Sequence, residues 1–147
     1  MQGRFAAITN YRDMKNLRKE APSRGELVKF SNQTKKSKKL PPGIYGLNNH
    51  LLGTPWHKVE KSKTSFTEIL SKEDISADNL FKILSDTSIP PDELLPDTGL
   101  TIEIERAVSP VFVATPFYGT RSSTVILIDK GDRVTFIEKS LKLETKE

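Results

Sequence analysis

Phe117-Tyr-Gly-Thr-Arg121-Ser-Ser-Thr-Val125-Ile-Leu-Ile-Asp129-Lys-Gly-Asp-Arg-Val134-Thr-Phe-Ile-Glu138 is the stretch whose reading decides the fold. Val125, Ile126, Leu127 and Ile128 form an unbroken apolar run rich in β-branched residues, so a strand here is apolar on both faces and needs cover on both. That pattern predicts a central strand. Asp129 to Asp132 supply a reversal in which Gly131 is free to take positive φ. Val134, Phe136 and Glu138, alternating with Thr135 and Ile137, predict a half-buried return strand. The expectation is an antiparallel hairpin whose first strand lies deep in a sheet. Arg121 stands where Tyr118-Gly119-Thr120 lead into the apolar run, and a guanidinium there is either paired or faces a cleft.

With 147 residues and 35% apolar content, the chain suits one domain, 1–147, and is short for two. It has no cysteine, which excludes disulfides, thiolate metal sites and a cysteine nucleophile within these residues. The first ten residues lack an apolar core of signal-peptide length, and no run approaches the roughly 20 apolar residues that span a bilayer. A cytoplasmic protein without a membrane span is the expectation. The formal charge is +4, but 19 acidic residues are interspersed among 23 basic ones, so the excess points to no particular anionic partner.

Working outward, Phe5-Ala6-Ala7-Ile8 is a short strand candidate ending in the polar cluster Thr9-Asn10-Tyr11-Arg12-Asp13. Ser23 with Glu26 three residues on is a capping-box start for a helix that ends abruptly at Phe30. Lys35, Lys36, Lys38 and Lys39 have no interleaved aromatics on which bases could stack, so this run predicts a solvated loop and no nucleic-acid partner. Gly43 to Leu47 is a second short strand candidate, leading into Asn48, Asn49 and His50. Thr54 before Pro55 predicts a helix start, with the threonine as cap. Trp56, Val59, Phe66, Ile69 and Leu70 then keep one face to about Ser71. His50 and His57 lack the i, i+4 spacing and a third ligand, so they are read as satisfied or surface histidines and no metal is expected. Ser76 predicts the cap of a helix from Ala77 to Leu84. Ile102 to Val108 fits either a strand by alternation or a short helix by its charges, and a helix is adopted.

No phosphate-binding glycine loop, His-Glu-x-x-His, nucleophile elbow or metal-binding cysteine pair is present. A constellation remains: Asn10 after one strand candidate, Asn48 and Asn49 after another, and Arg121 before the hairpin. Side-chain amides can donate to a developing oxyanion, and an arginine can hold a carboxylate. Asparagines also end strands simply because they cap and turn well.

Several blocks carry a family resemblance: Gly3-Arg4-Phe5-Ala6-Ala7-Ile8-Thr9-Asn10-Tyr11-Arg12-Asp13; Ser23-Arg24-Gly25-Glu26-Leu27-Val28; Leu40-Pro41-Pro42-Gly43-Ile44-Tyr45-Gly46-Leu47-Asn48-Asn49 with Thr54-Pro55-Trp56; and Tyr118-Gly119-Thr120-Arg121-Ser122-Ser123-Thr124 with Val134-Thr135-Phe136-Ile137-Glu138. In order and content they resemble the transport and Golgi organisation protein family, also named after its Asn-Arg-Asp-Glu motif. That family is similar to N-terminal-nucleophile hydrolases, so the resemblance implies an α+β fold, a layered αββα sandwich with mainly antiparallel sheets. It further implies an amino-terminal cysteine that attacks an amide carbonyl with its own α-amine as base. The roles implied here are an oxyanion-hole amide from Asn49, a second from Asn10, and Arg121 near the nucleophile.

The departures set further expectations. The family portion with the cysteine and the Asn-Arg-Asp-Glu motif has no counterpart before Gly3, and further helix and strands are missing between Phe30 and Ser31. The chain is therefore expected to be a partial or degenerate member that retains a cleft for a small amide or acyl ligand without hydrolysing it. No cofactor is expected on that reading. The family also suggests a non-enzymatic alternative in intracellular trafficking or in handling haem or acyl lipids. Unpaired strand edges would favour self-association.

Overall fold

A computed structural model describes residues 43–72, 75–116, 118–129 and 131–141. The strand expected at 5–8 with Asn10 after it, the helix opened by Ser23, the break after Phe30 and the lysine loop lie outside the described residues. Within them the order is helix α1 (His57–Ser71), helix α2 (Ala77–Leu84), a 3₁₀ turn (Asp92–Leu94), helix α3 (Ile102–Val108), and strands β1 (Ser122–Ile128) and β2 (Val134–Ser140). Helices and an antiparallel sheet in one chain make this an α+β structure.

The chain enters α1 through an irregular segment, not the strand expected from Gly43 to Leu47. Extended propensity alone does not make a strand, and this segment joins no ladder among the described residues. Thr54 is not the helix cap either. Its hydroxyl donates to the Leu51 carbonyl at 2.8 Å and sits 2.8 Å from His50 Nδ1, so it is turned back into the preceding loop. Trp56 takes the cap position, its carbonyl accepting from Val59 N at 2.8 Å and Glu60 N at 3.1 Å. A Cβ at Gly46 would collide with Cγ1 of the buried Val59. Gly46→Ala is thus expected to destabilise the chain by about 1–3 kcal/mol, the usual range for overpacking, seen as a lower urea midpoint with an unchanged slope.

At α2 the sequence signal and the structure coincide. Ser76 Oγ accepts from Asn79 N at 3.2 Å, and the helix runs over the expected Ala77–Leu84. Polar ties fix the helices to one another. Lys58 Nζ, on α1, donates to the Val108 carbonyl at 3.0 Å, meeting the free carbonyls at the end of α3. Lys61 Nζ, one turn on, reaches Asp86 at 2.7 Å and Ser88 Oγ at 2.6 Å just beyond α2.

Residues 102–108 are helical, as their charges suggested, but the packing is inverted. Ile102 and Ile104 are exposed, whereas Glu105 is 2% exposed and accepts from Thr98 N at 3.1 Å and from the Thr98 hydroxyl. A tertiary partner, not periodicity, decides which side of α3 faces inward.

The hairpin forms as expected, with Ser122 opposite Ser140, Val125 opposite Ile137 and Ile128 opposite Val134. Its turn is fixed by Asp129, whose Oδ1 accepts from Gly131 N at 2.8 Å and Arg133 N at 3.1 Å. The positive φ falls on Asp132 (57°), not on Gly131. Aspartate tolerates this left-handed region better than most residues. Directly opposed residues share a face. Val125 and Ile137 are on the face that meets α2, where Lys139 lies 4.2 Å over the Phe81 ring. Val59, Phe81, Val113 and Val125 are the buried apolar core. On the opposite face Val134 is 60% and Phe136 63% exposed, so β2 is less buried than its alternation suggested. Among the described residues β1 has β2 as its one neighbour, and the second neighbour of a central strand is not found within them.

Candidate functional site

Arg121 is placed by the residues around it. Val113 and Thr120 close a short loop, with Thr120 N donating to the Val113 carbonyl at 2.8 Å and Val113 N donating to Thr120 Oγ1 at 3.0 Å. Inside the loop Ala114 and Gly119 form an isolated bridge. Gly119 is required there, because a Cβ would stand 2.9 Å from the Val113 carbonyl oxygen. Leu141 N donates to the Arg121 carbonyl at 2.8 Å, fixing the backbone at the head of β1. The side chain is exposed, and among the described residues no carboxylate pairs with its guanidinium.

Asn48 and Asn49 sit in the loop ahead of α1. Its neck is closed by Gly53 N donating to the Gly46 carbonyl at 3.0 Å, with Gly53 at φ 77°, and its far side by Thr54 N donating to the Leu51 carbonyl at 3.1 Å. The polarity of this loop is reversed from the usual pattern. Tyr45, Leu47, Leu51 and Leu52 are exposed, while Asn48 is 8% exposed with neither Oδ1 nor Nδ2 hydrogen-bonded. Asn49 is half-buried and engaged. Asn10 lies outside the described residues. No hydrogen bond or ion pair joins Asn49 to Arg121 among the described residues.

His50 is held by Thr54, and its ring lies 5.6 Å from that of Trp56 at a tilt of 39°. Among the described residues no group of three His, Cys, Asp or Glu side chains is placed to hold a metal ion. No described helix is long and apolar enough to cross a membrane.

A separate open groove of about 460 Å³ runs between α1 and α2, lined by Lys61, Ser65, Lys72, Lys82 and Asp86 among others. Burial acts to raise the Asp86 carboxyl. Hydrogen bonds from Lys61 and Ser88, with the Lys61 charge, outweigh it and hold the group below its ordinary value of 3.8. A depressed carboxylate adds stability above the ordinary value and loses it as pH falls through the depressed one. Lys61 is 43% exposed, so the effect is modest. The expectation is that Lys61→Met lowers the urea midpoint slightly at pH 7 and that this difference closes as pH falls below 3.8.

Sequence reasoning grouped Asn48 with Asn49 and singled out Asn49. Adjacent asparagines carry the same donors and acceptors, so only the structure separates them. The Thr98–Glu105 pair was not foreseen, for nothing in local spacing marks a buried carboxylate on a helix whose isoleucines are exposed.

Residues 29–143 match the model of a family described as Transport and Golgi organisation 2. Over 110 residues the chain is 37% identical to the Transport and Golgi organization protein 2 homolog of Bos taurus and to that of Homo sapiens. It is 36% identical over 110 residues to the Transport and Golgi organization 2 homolog of Mus musculus. Each of these alignments covers 69% of this chain and 40% of the relative. The chain thus spans about 40% of the length of these curated relatives.

Proposed function

Since the chain belongs to the Transport and Golgi organisation 2 family, we propose that residues 1–147 form one domain with N-terminal-nucleophile-like layering, whose cleft binds a small amide or acyl ligand in the cytoplasm. The observation that carries this reading is Arg121, whose backbone is fixed at the head of β1 and whose exposed guanidinium pairs with no carboxylate among the described residues. An arginine so placed suits a carboxylate or a developing negative charge. Asn49 and Asn10 would donate to the ligand carbonyl. The 147 residues contain no cysteine, so the family's nucleophile does not come from them, and their contribution is binding and polarisation of the carbonyl.

N-octanoylglycine is a suitable probe because it presents an amide carbonyl and a carboxylate on one apolar chain. Titrated against the 147-residue chain with Trp56 fluorescence as readout, it is expected to saturate. Asn49→Ala and Arg121→Ala should each weaken it about tenfold, the equivalent of one lost hydrogen bond or charge pair. Absence of saturation, or release of glycine from the probe by the chain alone, would overturn the reading.

A further inference from the structure

Among the described residues, Asn48 is the one buried side chain whose polar atoms lack a hydrogen-bond partner. It is more than nine-tenths buried, and both its amide oxygen and its amide nitrogen lack a hydrogen-bond partner. Leaving such groups unpaired in a dry environment opposes folding, and native structures rarely tolerate it without a compensating role. The loop that carries this residue is closed at its neck by a backbone bond, Gly53 N to the Gly46 carbonyl. The closed loop therefore carries an internal penalty, and a partner that satisfies the amide would relieve it.

We propose that Asn48 is the recognition group for a ligand bearing a primary carboxamide on an apolar body, reached when the loop that carries it opens at its neck. The chemistry follows from which atoms are unpaired. The acceptor and the donor of an asparagine side chain lie on one edge, and both are vacant. Two-point pairing needs a donor and an acceptor side by side. A primary carboxamide offers this arrangement, whereas a trans secondary amide carries its N–H on the edge opposite its carbonyl. Tyr45, Leu47, Leu51 and Leu52, exposed around the same loop, would receive the apolar body. The proposal rests on the acyl-amide cleft argued above and adds to it the group that chooses among amides.

The test compares octanamide with N-methyloctanamide, in which the methyl group blocks the pairing edge, on the wild-type chain and on Asn48→Leu, a change of similar volume. Wild type is expected to bind octanamide saturably and at least about tenfold more tightly than the N-methyl compound, as loss of one hydrogen bond implies. Asn48→Leu should lose that preference and bind octanamide about tenfold more weakly or worse. Its urea midpoint should stay level or rise, because replacing an orphaned polar group with an apolar one is neutral or stabilising. A lowered midpoint would show that the amide is paired within the protein and would overturn the proposal, as would equal binding of the two amides by wild type or undiminished octanamide binding by Asn48→Leu. If N-octanoylglycine saturates while octanamide shows no dependence on Asn48, this inference fails and the cleft stands. If neither compound binds, both fail.

Discussion

Phe81→Ala is expected to remove about 3–5 kcal/mol of stability, the usual cost of deleting a buried aromatic ring. Phe81 is 3% exposed on α2. It lies on the side of α2 that meets the hairpin, and Lys139 of β2 lies over its ring. Deleting the ring leaves a cavity between helix and sheet and withdraws the cation's partner. Since a domain of this size holds only about 5–15 kcal/mol in total, the loss leaves little margin. Urea unfolding followed by Trp56 fluorescence and by far-ultraviolet circular dichroism measures it. An unchanged midpoint would mean that the hairpin does not depend on α2. Phe66→Ala on α1, a half-buried site, should cost less.

Glu105→Ala is expected to cost about 2–4 kcal/mol, because it strands the buried Thr98 N–H and hydroxyl, each worth about 1–3 kcal/mol when left unpaired. Thr98 is itself 3% exposed, so water does not readily replace the carboxylate. Glu105→Gln keeps an oxygen that can accept both bonds from Thr98, at the loss of their charge-assisted strength, so it should cost less than the alanine change. Reversal of that order would show that the charge, and not the hydrogen-bonding pattern, is what α3 needs.

Where the sequence anticipated the fold, the signal was local and self-contained. Ser76 with Asn79 N–H three residues on sets the start of α2 without reference to the rest of the chain, and the run from Ser122 to Ser140 pairs with itself about its own turn. Where it failed, a more distant or competing partner decided. Thr54 has the residue type and position of a cap, but His50 and the Leu51 carbonyl claim its hydroxyl. Asp132 takes the conformation expected of Gly131, because the Asp129 carboxylate organises the turn around itself. Ile102 and Ile104 face outward because Thr98 draws Glu105 inward. The residues proposed for a site came from the same kind of local signal. Residue types at element ends named Asn49 and Arg121, yet no spacing rule could indicate which of two adjacent asparagines is buried with its amide unmet. The blocks that resemble the family carried its identity further than any single motif did.

The two strands also differ from the rest of the molecule in the order in which they can assemble. β1 and β2 are joined by a tight turn whose bonds all lie within a few residues of Asp129, so their pairing closes a short loop and needs no distant contact. Such hairpins form in about 1–10 μs. Docking α2 onto β1 must instead close the long intervening chain, including the 3₁₀ turn and α3, and loop closure of this kind is paid before its contacts repay it. The face of the hairpin that carries Phe136 is therefore bare from the first microseconds of folding, while the chain is still seeking its helices. The molecule passes through its most adhesive state early, and its yield on refolding should fall with protein concentration before its native stability is affected.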